Sequence, residues 1–144
     1  LFKPPYGRIT AIDLNTGEHI WMAPNGDGPI DHPDLVDLDL GQLGLPGRPS
    51  PLLTKTLLSL GEGLTNQRPG GRIPADMPVE IATNSGGPMF RAYSKESGEI
   101  IWETELEAGT SGPPISYLHE GEQFILVAIG DRQYNPELVA FKLP

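Results

Sequence analysis

The chain has 144 residues, with 19 acidic against 10 basic side chains for a formal net charge of −9, and it has no cysteine. That charge argues against nucleic acid, which needs Lys and Arg to displace counterions, and against an anionic membrane surface; the missing cysteine excludes thiol catalysis, disulfides and thiolate metal sites. Hydrophobic residues make up 38%, no apolar run approaches a transmembrane span, and 18 Gly with 16 Pro fall between short apolar runs, which reads as one domain of short strands joined by turns and long loops.

Arg8–Leu14 alternates and is β-rich, Asn15-Thr16-Gly17 turns the chain, and Glu18–Met22 returns it, which predicts a hairpin. Asn25-Gly26-Asp27-Gly28-Pro29 breaks it. Residues 30–49 read as a long acidic loop in which Asp34, Asp37 and Asp39 interleave with Leu35, Val36, Leu38 and Leu40, with room for a single helical turn. Pro51–Thr54 and Leu57–Leu60 read as a second strand pair, residues 61–78 as a polar insertion, and Asn84-Ser85-Gly86-Gly87 as a loop before a strand. Pro88–Ser94 and Glu99–Glu105 form another hairpin, and Gly109-Thr110-Ser111-Gly112 turns the chain. Pro114–Leu118, Phe124–Ile129 and Leu138–Leu143 give three more strands. No helix longer than about one turn is predicted.

Two of these hairpins share one frame. Ala11, Gly17 and Trp21 recur as Ala92, Gly98 and Trp102, with an apolar residue before each Trp. Two unrelated hairpins ending in Trp are the plainer alternative, but three fixed positions and the apolar flank favour a true repeat. Each copy closes a strand-turn-strand unit that other strands precede. Four antiparallel strands per unit describe an all-β fold, a β-propeller of W-shaped blades. The reading is a partial blade at about 1–26, an insertion-bearing blade at about 46–108, and a last blade at about 109–144 with three strands. It makes the chain the C-terminal part of a propeller whose other blades precede Leu1. The Trp ring is expected to bridge neighbouring blades, Gly17 and Gly98 to supply φ > 0, and Trp102→Ala to cost about 3–5 kcal/mol if the ring is buried.

The pattern Ala-x-Asp-x-x-x-Gly-x-x-x-Trp resembles the tryptophan-docking motif of quinoproteins, the pyrroloquinoline quinone (PQQ)-dependent dehydrogenases. The second copy carries Ser94 where Asp is usual. Pro4-Pro5-Tyr6-Gly7 ahead of the first copy, Trp21-Met22 with Asn25-Gly26 after it, Ser111–Tyr117 with Gly121-x-Gln123-Phe124, and the terminal Val139–Pro144 are together similar to the C-terminal part of membrane-bound glucose dehydrogenases of that family. The resemblance covers nearly the whole chain except residues 27–45 and 61–80. It implies eight blades around PQQ with a calcium ion beside it, and a catalytic Asp and calcium ligands upstream of Leu1. It also implies a sugar, polyol or alcohol substrate, an electron acceptor such as ubiquinone or a cytochrome, and a periplasmic location, with membrane association through an N-terminal segment outside this chain. Where relatives often carry Trp-Gly-Gly near the quinone, this chain has Arg48-Pro49-Ser50. Arg48 is therefore a candidate for pairing with a cofactor carboxylate, against a solvent-facing loop Arg. Asp131-Arg132-Gln133-Tyr134-Asn135 stands where relatives are Gly-rich and reads as a polar turn, with the mouth of the pocket as the alternative.

Other signals carry less. Asp37-x-Asp39-x-Gly41 has Arg48 where an EF-hand needs Glu. His19, His32 and His119 lack paired metal-ligand spacing. Gly61-x-Gly63 lacks the later Gly and helix of a dinucleotide site, and Ser50, Ser59, Ser85 and Ser111 lack a nucleophile elbow. Besides the dehydrogenase, two readings stay open: a non-catalytic propeller scaffold with the same repeat, and a free-standing binding module. The latter is the weaker, because an open arc of blades exposes sheet faces.

Overall fold

The two repeated hairpins fold alike, residue for residue. The computed structural model describes residues 3–63, 86–131 and 134–142. In it β1 (Arg8–Ile12) pairs with β2 (His19–Pro24), and β5 (Met89–Ser94) pairs with β6 (Ile100–Glu105), both antiparallel. Ala11 lies opposite Trp21 and Ala92 opposite Trp102, and the register slips at the same place, Ala11/Ile12 and Ala92/Tyr93. The turns close with the same backbone bonds, Gly17 N–H to Asp13 O and Gly98 N–H to Ser94 O, and both glycines take φ of +76°. A side chain at that φ would be strained, which is why the frame carries Gly there.

Among the described residues three sheets result. β1 and β2 form one. β3 (Leu52–Leu53), β4 (Leu57–Gly61), β5 and β6 form a four-stranded sheet in chain order. β7 (Ile115–His119), β8 (Glu122–Ile129) and β9 (Glu137–Lys142) form the third. All pairings are antiparallel. The single helical turn expected in the acidic loop is a 3-10 turn at Val36–Leu38. The strands fall where the hydrophobic pattern put them, with small shifts at the ends. β8 begins at Glu122 rather than Phe124 because Glu120 and Gly121, at φ of 51° and 82°, make a two-residue turn. Positive φ at both positions matches the twist of the flanking strands.

Two apolar layers join the sheets. Leu58, Leu60 and Tyr93 of the second sheet pack against Ile9 and Trp21 of the first. Phe90, Leu106 and Ala108 pack against Ile125, Val127 and Ile129 of the third, with Phe141 alongside. The Trp21 indole N–H donates to Lys95 O at 2.9 Å, so one side chain ties the first sheet to the C-terminal turn of β5. Trp102 is related to the third sheet in a similar way, meeting Phe141 edge-on at 5.4 Å. Its ring is nevertheless exposed, the residue being 44% accessible. The condition of a buried ring, on which the cost of Trp102→Ala rested, is not met: only part of the Trp102 surface finds a neighbour among the described residues.

The acidic loop leaves and re-enters at one place. Leu43 N–H donates to Asp27 O, Gly44 N–H to Gly26 O and Leu45 N–H to Asn25 O, so the ends of the excursion pair like a short ladder. Tyr6 N–H adds a bond to Leu43 O. This pinch delivers residues 45–50 to the head of the second sheet. Most of the polar insertion read at 61–78, with Asn84 and Ser85, lies outside the described residues.

Candidate functional site

Residues 45–50 run between two concavities. Leu45 and Pro46 line one of about 510 Å³, shared with Tyr6, Asp27, His32 and Glu62. Gly47, Arg48 and Pro49 line another of about 600 Å³, between β1–β2 and β3–β4. Arg48 is exposed, Pro49 half-buried and Ser50 exposed. Among the described residues Arg48 has no carboxylate partner, and Arg8 and Lys95 are the other cations lining its concavity.

Beneath this segment lies a buried polar junction that the sequence reading missed. Arg91 Nη1 donates to Glu62 Oε1 at 2.5 Å, and Arg91 Nε donates to Glu103 Oε2 at 3.0 Å. Arg91 and Glu62 are 2% and 3% accessible, while Glu103 reaches solvent. The other Glu62 oxygen accepts a long bond from Met89 N–H at 3.4 Å. Beside this pair, the Tyr93 hydroxyl donates to Asn25 Oδ1 at 3.1 Å, and Asn25 Nδ2 donates to Gly61 O at 3.1 Å. The junction thus spans the end of β2, the end of β4 and the middle of β5. Burial acts to lower the Arg91 pKa, but the Glu62 hydrogen bond and charge outweigh it, so the guanidinium stays above its ordinary value. Burial also pushes the Tyr93 phenol up to about 12, against the opposing charge of Arg91.

One signal for the junction was present in the sequence. Phe90-Arg91-Ala92-Tyr93 puts a charge in a strand buried on both faces, with Arg91 and Tyr93 on one side. A charge in such a place needs a partner. The partner's identity was not legible, because Glu62 is 29 residues away and Asn25 read only as a turn residue.

In the last loop the described residues Asp131 and Tyr134 are hydrogen-bonded to one another. Tyr134 N–H donates to Asp131 Oδ1 at 2.7 Å, and the Tyr134 hydroxyl donates to Glu137 Oε1 at 2.8 Å, which raises the phenol pKa. Arg132 and Gln133 lie outside the described residues.

Antiparallel sheets following one another in sequence, with a Trp from one reaching the turn of the next, are the arrangement of a β-propeller protein. The family model described as "PQQ: Glucose/ethanol/alcohol dehydrogenase, beta-propeller domain" matches residues 1–125, and the chain belongs to that family. It is 30% identical to the quinoprotein glucose dehydrogenase of Gluconobacter oxydans (strain 621H), over 98% of this chain and 16% of that protein. It is 25% identical to the quinate/shikimate dehydrogenase (quinone) of Acinetobacter baylyi, over 94% of this chain and 14% of that protein. It is 26% identical to the glycerol dehydrogenase large subunit of Gluconobacter oxydans, over 99% of this chain and 17% of that protein. The chain therefore spans about one sixth of the length of these relatives.

PQQ is a flat polycarboxylate, and the donor set at 48–50 suits part of it. A guanidinium without a carboxylate partner among the described residues is the group that pairs with a carboxylate in bidentate fashion, and the Ser50 hydroxyl is a further exposed donor. Arg48-Pro49-Ser50 offers no aromatic plane, so stacking on the quinone is not supplied by these three residues.

Proposed function

We propose that this chain is part of the propeller of a PQQ-dependent dehydrogenase that oxidises the hydroxyl of a sugar, polyol or alcohol and passes the electrons to a quinone or other acceptor. The family match over residues 1–125 carries the reading, and relatives named for glucose, quinate and glycerol give the substrate class. PQQ, when bound, supplies the redox chemistry by taking a hydride equivalent from the substrate. In this reading Arg48 pairs with a cofactor carboxylate, while Pro49 and Ser50 shape the adjacent wall. The catalytic Asp and the calcium ligands are supplied by residues outside this chain, and the enzyme works in the periplasm.

In this proposal the partner of the first sheet is the rest of the same propeller, and an open strand edge supports that. In the second sheet β4 covers the edge of β5. The equivalent edge of β1 has no partner strand among the described residues and borders the concavity of about 600 Å³. The edge of β1 itself, in the plane of the first sheet, is where two further strands of the same propeller would pair, leaving the concavity that Arg48 lines open.

The test is reconstitution of the full-length apoprotein with PQQ and calcium, followed by reduction of an artificial acceptor dye with glucose, quinate, glycerol and ethanol in turn. Turnover with at least one of them is expected. PQQ binding should weaken about tenfold in Arg48→Ala, the scale of one lost charge-assisted hydrogen bond. No PQQ binding and no turnover across the panel would replace this reading with a non-catalytic scaffold.

A further inference from the structure

Segment 47–49 rests directly on the backbone of Glu62 and Gly63. A Cβ on Gly47 would lie 2.8 Å from Glu62 O, and one on Gly63 would lie 3.5 Å from Pro49 N and 3.7 Å from Arg48 N. The position of Arg48 is therefore set by where the Glu62–Gly63 backbone lies.

That backbone is held from three sides. Glu62 N–H donates to Met89 O at 3.1 Å. The preceding carbonyl, Gly61 O, accepts from Asn25. The Glu62 side chain is anchored by Arg91, which Glu103 clamps from the other side. Gly87 packs against the same carboxylate so closely that any side chain there would collide with Glu62 Oε2. An ion pair this deep is a weak source of stability, because desolvation offsets most of its attraction, and well-packed apolar residues would hold the sheet as well. What it supplies is direction. A charge-assisted bond fixes Glu62 in one rotamer, and Glu62 is the residue on which the 47–49 segment lies.

We infer that the buried Glu62–Arg91 pair is a positioning device for the Arg48-bearing segment and acts on cofactor affinity through it. This rests on the proposal that Arg48 meets PQQ. Glu62 and Arg91 themselves touch no cofactor in this account.

The test uses the full-length protein and two readouts. The first is amide hydrogen exchange of the apoprotein. Glu62→Gln is isosteric and removes the charge, so exchange at the Glu62 amide, which donates to Met89 O, and at the Leu45 amide, which donates to Asn25 O and leads into segment 47–49, is expected to speed up about tenfold with β8 unchanged. The second is the dissociation constant for PQQ, measured by absorbance titration, in Glu62→Gln, Arg48→Ala and the double variant. Each single variant is expected to weaken binding about tenfold. The double variant is expected to be no worse than Arg48→Ala, because Glu62 acts through Arg48. Arg91→Lys, which keeps a cation, is expected to retain part of the affinity. If Glu62→Gln fails to fold, Glu103→Gln loosens the outer clamp and replaces it in the same design.

Unchanged exchange at Glu62 and Leu45 overturns the inference, whatever happens to PQQ. So do effects that multiply in the double variant. Faster exchange with an Arg48→Ala affinity equal to that of the unmodified protein leaves the positioning intact and removes Arg48 from the cofactor site.

Discussion

The six-membered ring of Trp21 lies over Gly98, so close that a Cβ on that glycine would stand 2.5 Å from Trp21 Cε3. Gly17 occupies the same place in the first copy, at the same φ of +76°, with nothing within 4 Å of its Cβ position. The pair is a built-in control. Gly17→Ala meets only the backbone penalty, about 1–2 kcal/mol. Gly98→Ala meets the same penalty and also displaces the indole and its 2.9 Å bond to Lys95 O. It is expected to cost about 1–3 kcal/mol more, the scale of overpacking. Urea unfolding of the two variants side by side checks this, and equal midpoints would mean that Trp21 does not seat on Gly98.

The two tryptophans should differ for a related reason. Trp21 has its N–H satisfied and its ring in the Leu58, Leu60 and Tyr93 layer. Trp102 is 44% accessible and touches Phe90 and Phe141 by edge contacts. Trp21→Ala is expected to cost about 3–5 kcal/mol and Trp102→Ala about 1–2 kcal/mol, the scale of an aromatic edge contact with partial burial. Measured on these 144 residues, the reverse order would contradict the packing described.

This contrast marks what was legible in the sequence. The strands, the turns and the Ala-Gly-Trp frame are local, and hydrophobic alternation with Gly at a fixed offset is enough to find them. A third start of the frame, Ala140-Phe141 on β9, could have been found by the same rule, since Phe141 meets Trp102 as Tyr93 meets Trp21. The polar junction was not legible, because its members come from three separated segments and nothing local says that Asn25 or Glu62 turns inward. Arg91 alone announced it, as a charge inside a strand with no exposed face. For the 48–50 segment the position came from the family resemblance, and the concavity beside it came only from the fold.

Ser59 gives a prediction of opposite sign. It is 1% accessible, it sits in β4 opposite Leu52 and Ala92, and its hydroxyl has no hydrogen-bond partner among the described residues. A buried hydroxyl without a partner carries its desolvation cost uncompensated. Ser59→Ala removes that cost and leaves a gap of one small atom. It is expected to be neutral or to stabilise by about 1 kcal/mol, read as an unchanged or higher denaturant midpoint. A loss of more than about 1 kcal/mol would show that the hydroxyl is satisfied after all.

Tyr93 ties stability to pH at the alkaline end. Its phenol is raised from 10.0 to about 12 in the folded chain, first by burial. Between those values the folded state keeps a proton that the unfolded state has lost, so stability falls as pH rises. The contribution is complete below pH 10, declines from there and is gone above about 12. Two pKa steps correspond to about 3 kcal/mol as an upper scale. Tyr93→Phe deletes this slope and also leaves Asn25 Oδ1 without its donor, at a cost of about 1–3 kcal/mol near neutral pH. The unmodified chain is therefore expected to be the more stable at pH 8, with the gap to Tyr93→Phe narrowing steadily from pH 10 upward. Subtracting the two stability curves cancels the other groups that titrate there, and a gap that stays constant to pH 12 would show that the phenol is not held neutral by burial.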